Sequence, residues 1–177
     1  MLNSELVNKI MFDYSDYSID EITNFVSKLP SKILRWLGAN HPDNRIRKIF
    51  FQLTNVVIGE KTVLNSNLII SDDYKPLLVI GKRVAISPNV TIICSSGPNN
   101  SNLSQNEYVK NNLLSQKKII IEDDVWIGTN VTILPGVTIG KGSIIGAGTI
   151  VSKNVSEGVI ALGNHLKEIR TIIKKSK

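Results

Sequence analysis

Two adjacent carboxylates, Asp72 and Asp73, stand in the run Asp72-Asp73-Tyr74-Lys75-Pro76, which interrupts an otherwise regular aliphatic pattern. Paired carboxylates at such a break are harder to explain by packing than by ligand binding or proton transfer. Histidine is the usual general base near neutral pH, and the chain has two, His41 and His165. His41 lies in Asn40-His41-Pro42-Asp43, which reads first as a turn with Asp43 capping the helix that follows. His41 and Asp73 are nevertheless the two candidates for a catalytic base. Cys94 is the sole cysteine. It cannot close an internal disulfide, fits a reducing compartment, and reads as a structural thiol rather than a nucleophile. Two histidines fall short of a three-histidine zinc site, so no metal is expected.

The net charge of +6 and pI near 9.4 narrow the partners. Part of the excess lies in Lys167, Arg170, Lys174, Lys175 and Lys177. No dense basic run is interleaved with aromatics, so nucleic acid is not expected. A phosphorylated small ligand suits the charge equally well. The acidic start (Glu5, Asp13, Asp16, Asp20, Glu21) does not resemble a signal-peptide n-region, and no apolar run approaches the roughly 20 residues that span a bilayer. The expected location is cytoplasmic, without membrane insertion.

These residues must be positioned by a repeat. Read in sixes, Ile121, Ile127, Ile133, Ile139, Ile145 and Val151 share one phase. Four residues after each stands Val125, Val131, Val137, Ser143, Thr149 and Val155, all small or β-branched. A period of six fits neither a helix nor a plain alternating strand. It fits short strands joined by tight corners, wound into a solenoid whose coils each comprise three hexads. The phase begins at Ile58, Leu64 and Ile70, with Thr62, Leu68 and Tyr74 four residues on. It resumes at Ile80, Ile86 and Ile92, with Val84, Val90 and Ser96. This predicts three coils from Ile80 onward after an irregular first coil. Two excursions interrupt it: a bulge between Ile70 and Ile80, and a polar, turn-rich loop over 97–118. A long loop between regular blocks points to function.

Residues 1–54 carry no repeat and predict a helical extension that covers the open end of the solenoid. Ile22, Phe25, Val26 and Leu29 predict one helix, with Asp20 as its N-cap. Ile33, Leu34 and Leu37 predict a second, closed by Gly38. The stretch Arg45–Leu53 predicts a third. The basic tail 167–177 is expected to be helical, which leaves 55–166 to the solenoid.

The stretches Ile121-Glu122-Asp123-Asp124-Val125-Trp126-Ile127-Gly128, Ile133-Leu134-Pro135-Gly136-Val137-Thr138-Ile139-Gly140 and Ile145-Gly146-Ala147-Gly148-Thr149-Ile150-Val151 resemble the hexapeptide-repeat acyltransferases. With Asn65-Ser66-Asn67-Leu68-Ile69-Ile70-Ser71-Asp72-Asp73-Tyr74, the resemblance is to the galactoside/maltose O-acetyltransferase branch. It implies an all-β solenoid, a left-handed parallel β-helix, assembled as a homotrimer with sites between subunits. It implies acetyl-CoA as donor and a carbohydrate acceptor, with a role in surface polysaccharide biosynthesis. Position by position, it implies that Asn65 and Asp73 bind the acceptor and that Trp126 lines its cleft. Thr129, Ala147, Ser152 and Lys153 would lie along the pantetheine arm of CoA, with Lys167 and Arg170 near its phosphates. Corner packing for Asn65, packing between coils or subunits for Trp126 and plain solvation for the three cations are the competing readings.

One departure matters. The family's catalytic histidine stands in a Thr/Ser–x–His–Pro segment, which here is Ser95-Ser96-Gly97-Pro98. Gly97 occupies the histidine's place. Four consequences are open: an amine acceptor, another base, slow turnover, or a retained fold without chemistry. His165 replaces the proline of the family's Gly-Asn-Pro segment and reads as a surface residue. The two function classes are therefore a CoA-dependent O- or N-acetyltransferase and a non-catalytic trimeric binding protein.

Overall fold

The computed structural model describes residues 4–11, 13–164 and 167–171. Four helices come first: α1 (Ser4–Met11), α2 (Ile19–Val26), α3 (Ser31–Asn40) and α4 (Asn44–Gln52). Three correspond to the predicted helices, with corrected ends, and α1 was not predicted. The N-cap of α2 is Ser18 rather than Asp20, because Ser18 and Glu21 form a reciprocal capping box. Helix α3 runs past Gly38. That glycine lies against the Phe51 ring, where an added Cβ would sit 3.1 Å from ring carbons, so it serves close packing instead of termination. Asp43 caps α4 as expected.

Short strands then follow at the predicted period. The first coil is β1 (Val57–Ile58), β2 (Val63–Leu64) and β3 (Ile69–Ser71). The second is β4 (Leu78–Ile80), β5 (Ala85–Ile86) and β6 (Thr91–Ile93). An excursion carries β7 (Ser95–Ser96), α5 (Glu107–Asn112) and β8 (Ser115–Gln116). The third coil is β9 (Ile119–Ile121), β10 (Trp126–Ile127) and β11 (Thr132–Ile133). The fourth is β12 (Thr138–Ile139), β13 (Ile144–Ile145) and β14 (Ile150–Val151). A partial fifth holds β15 (Val159–Leu162) and β16 (Lys167–Thr171).

The strands of the coils, β1 to β6 and β9 to β15, each pair in parallel with their counterpart one coil away, giving three sheets: β1-β4-β9-β12, β2-β5-β10-β13-β15 and β3-β6-β11-β14. Three coils after an irregular first is the arrangement that the sixfold phase predicts. The phase aliphatics from Ile80 to Val151 are buried, as are Val84, Val90, Val125, Val131, Val137, Ser143, Thr149 and Val155. Corners recur at the same interval. Lys61, Asn67, Asp73, Arg83, Asn89, Asp124, Asn130, Gly136, Gly142 and Gly148 all have positive φ. Each is the third residue after a phase aliphatic, where the chain must turn sharply.

Tyr74 and Ser96 depart from the phase by being exposed. The chain leaves the coil after Ser71 and again after Ile93, so Leu78, Cys94 and Ile119 fill the core there instead. Cys94 is fully buried, and burial pushes its thiol up from 9.0 to about 11. The folded state therefore disfavours the thiolate. This cysteine's contribution to stability is intact below pH 9.0 and declines as pH climbs towards about 11. Native protein is expected to resist a thiol-reactive disulfide reagent at pH 8 and to react stoichiometrically once unfolded. Rapid native labelling would contradict that burial.

The helical layer covers the open edge of the first coil with hydrogen bonds. Asn44 Oδ1 accepts from Leu64 N at 2.7 Å, and Arg47 Nε donates to Leu64 O at 2.9 Å. Asn67 N donates to Ala39 O at 2.7 Å. These contacts occupy backbone groups that would otherwise pair with another chain. At the far end, β16 pairs antiparallel with β15. The expected helical tail is thus a strand over Lys167–Thr171, because the open edge of β15 offers it a ladder. Residues 172–177 lie outside the described residues.

Candidate acceptor cleft

The two interruptions of the repeat meet on one edge of the solenoid. Strands β7 and β8 pair antiparallel, Ser95 with Gln116 and Ser96 with Ser115, and so close the base of the 97–118 excursion. Between them and the β3 and β6 ends lies a cleft of about 780 Å³, lined by Ser71, Asp73, Ser95, Gly97, Leu114 and Gln116 among others. That volume suits a small-molecule ligand. Ser95 and Gln116 were not singled out in the sequence. The available signal was that polar pairs flank the loop on both sides, so closing it must bring them together.

Asp73 takes the left-handed backbone conformation at φ 52°, followed by Tyr74 at 56°. Two consecutive residues there are unusual for non-glycine side chains, and neighbouring groups hold them. Asp72 Oδ1 accepts from Tyr74 N at 3.0 Å, and Asn55 Nδ2 donates to Tyr74 O at 2.7 Å. Asp73 Oδ2 accepts from Ser95 Oγ at 2.5 Å and from Gln116 Nε2 at 3.1 Å. Lys75 Nζ donates to Gln116 Oε1 at 2.8 Å, which orients the amide. Asp73 Oδ1 has no partner among the described residues.

The two carboxylates divide their roles. Asp72 is buried and bound to Arg35 Nη2 at 2.7 Å. Arg35 also donates to Thr54 Oγ1 at 2.5 Å and Thr54 O at 3.0 Å, and its guanidinium lies over the Phe51 and Tyr74 rings. Asp72 therefore fastens the bulge to α3, and only Asp73 reaches the cleft.

His41 is not beside it. Its ring is buried in the helical layer, packed edge-on against Tyr14 and Phe50. Nδ1 accepts from Asp43 N at 3.1 Å, which leaves Nε2 to donate to Ile10 O at 2.8 Å. With both nitrogens engaged, this histidine orders a turn and is corrected here from candidate base to core residue. His165 lies outside the described residues.

The other residues singled out in the sequence fall on a different edge or face. Asn65 is half-buried at the corner after β2, where its Nδ2 donates to Ile86 O at 2.9 Å. Thr129 stands two corners along the same edge, with Oγ1 donating to Pro88 O at 2.8 Å. Ala147 stacks beneath Gly128 so closely that a Cβ on Gly128 would come within 2.7 Å of its nitrogen. Trp126 projects from β10 and is 55% exposed, which removes packing within its own chain as the reason for it. Ser152 and Lys153 are exposed at the corner after β14, on the edge that carries Asp73. Lys167 is exposed on β16; Arg170 is on the same strand, with its side chain outside the described residues. A single chain thus brings Asp73 together with Ser95, Gln116 and Gly97. It does not bring Trp126 or Asn65 to them within that cleft.

Three parallel sheets of six-residue steps, capped by helices and broken by a loop beside a polar cleft, define the hexapeptide-repeat class of proteins. Residues 118–153 match the family profile described as bacterial transferase hexapeptide (six repeats). The chain is 41% identical over 124 residues to galactoside O-acetyltransferase of Escherichia coli (strain K12), across 70% of this chain and 58% of that protein. It is 39% identical over 150 residues to YJL218W of Saccharomyces cerevisiae (strain ATCC 204508 / S288c), whose name assigns it provisionally to the acetyltransferases. That match covers 82% of this chain and 72% of the yeast protein. Among solved structures, the hexapeptide-repeat acetyltransferase VCA0836 from Vibrio cholerae superposes with a TM-score of 0.63 at 25% identity, covering 81% of this chain and 89% of that one. A galactoside acetyltransferase in complex with coenzyme A superposes with a TM-score of 0.55 at 26% identity, covering 97% and 92%. The chain belongs to the hexapeptide-repeat acetyltransferases, and galactoside O-acetyltransferase is among the members it is similar to.

Proposed function

We propose that the protein transfers an acetyl group from acetyl-CoA to a hydroxyl or amine of a sugar or nucleotide-sugar. The observation that carries this reading is the polar cleft at the interruption of the coils, where Asp73 is oriented by Ser95 and Gln116. Its standing in a family of named acetyltransferases supports acyl transfer, and a relative solved with coenzyme A supports the donor. In this reading the solenoid is left-handed and the chain assembles as a homotrimer. Trp126 and the corner residues Asn65, Thr129 and Ala147 of one subunit then face the Asp73 edge of the next. Their distance from the Asp73 cleft within one chain is what an intersubunit site requires. Thr129, Ala147, Ser152 and Lys153 line the pantetheine channel, and Lys167 and Arg170 approach the phosphates. Surface polysaccharide assembly in the cytoplasm is the setting such an acceptor suits. Among the described residues, no helix is long and apolar enough to cross a membrane.

A second reading, a non-catalytic binding protein on the same scaffold, draws on Gly97. Thiol release from acetyl-CoA, followed across a panel of sugars and amino sugars, separates the two. Acceptor-dependent release is expected. Release at the background rate with every acceptor would favour the binding protein.

A further inference from the structure

The cleft's charge is at odds with that of the chain. The protein carries a net charge of +6, yet among the described residues Asp73 is the sole charged one lining this cleft. The rest of the lining is mainly hydroxyl, amide and small apolar groups. Lys75 stands close by, but its ammonium is turned to Gln116 Oε1. One oxygen of Asp73 is saturated by Ser95 and Gln116, and the other has no partner among the described residues. Among the described residues no imidazole lines the cleft, since Gly97 stands there and His41 is committed to the helical layer. Among the described residues, the lining of this cleft therefore offers a hydroxyl acceptor no conventional base and a polyphosphate no cation.

Resting on the function proposed above, we infer that the acceptor is an amino sugar whose ammonium group is bound by Asp73. The hydroxyl-lined walls suit the sugar ring, and the carboxylate selects the cation through a charge-assisted hydrogen bond. An amine needs less help than a hydroxyl. The bound ammonium gives up one proton to solvent, and the nitrogen lone pair attacks the thioester carbonyl. The N–C bond forms, the C–S bond breaks, and the second nitrogen proton leaves with the thiolate as CoA thiol. The balance is one proton released to solvent per thiol formed. Transfer to a hydroxyl releases none, because its single proton ends on the thiol.

The test uses the full chain with acetyl-CoA, in weak buffer with a pH indicator. The acceptors are methyl hexosides bearing an amine at each ring carbon in turn, each paired with its neutral parent. The expected result is faster thiol release with an amino member than with its parent, near one proton per thiol at a pH where the amine is protonated. The product should resist hydroxylamine, as an amide does and an ester does not. Asp73→Asn is expected to raise KM for the preferred amino sugar roughly 10- to 100-fold while leaving acetyl-CoA affinity unchanged. Neutral hexosides preferred, products labile to hydroxylamine, or no difference within any pair (silence from both included) would overturn the inference. Failure of acetyl-CoA to bind would instead overturn the function on which it rests.

Discussion

Replacing Gly97 by histidine is expected to raise turnover on neutral, hydroxyl-bearing sugars by roughly 10²–10⁴-fold, the range that a positioned general base contributes. The backbone allows the change. Gly97 is not among the residues with positive φ, and an added Cβ would meet only Leu114 Cδ2 at 3.4 Å, an ordinary contact. The new imidazole would enter the cleft that holds Asp73. Turnover on amino sugars should change little, since an amine attacks with less assistance. Kinetics of thiol release on matched neutral and amino acceptors measure both effects. A folded variant with no gain on any hydroxyl would show that the missing histidine is not what limits this site.

Replacing Arg35 by leucine is expected to cost about 3–5 kcal/mol of stability, the usual result of leaving one member of a buried ion pair uncompensated. Asp72 is 2% exposed and Arg35 11%, so water cannot take over the role of the lost partner. The substitution also frees Thr54 O and removes the cation that lies over the Phe51 and Tyr74 rings. The urea midpoint should fall accordingly, and the double substitution Arg35→Leu with Asp72→Asn should recover part of the loss. Asparagine keeps an oxygen for Tyr74 N while removing the orphaned charge. A loss below about 1 kcal/mol would show that the pair is effectively solvated. Because Asp72 and Tyr74 set the backbone of Asp73, the single variant should also weaken acceptor use more than CoA binding.

The solenoid could be read from the sequence because its rule is local. One aliphatic, a sharp corner three residues later and a small partner after that repeat without reference to anything distant. The positive φ at Asp124, Asn130, Gly136, Gly142 and Gly148 is that rule in the backbone. The two breaks were equally visible as lost phase. What lay beyond reach depends on pairs far apart in the chain. Asp72 looked like a second site carboxylate because its partner, Arg35, is on a helix whose docking the sequence does not encode locally. His41 reads as an available base because the partner of its Nε2, Ile10 O, arrives only when α1 packs. Ser18 is legible locally, since Ser18 and Glu21 have capping-box spacing that outweighs Asp20 as the N-cap. The strand at Lys167–Thr171 forms because β15 presents an edge, which no property of the tail itself reveals.

Calorimetric titration of acetyl-CoA into the full chain tests the central claim most directly. Saturable binding with Kd well below about 1 mM, weakened by Lys153→Ala and retained in Asp73→Asn, is the predicted result. Absence of binding at millimolar acetyl-CoA, from protein that remains folded, would contradict it.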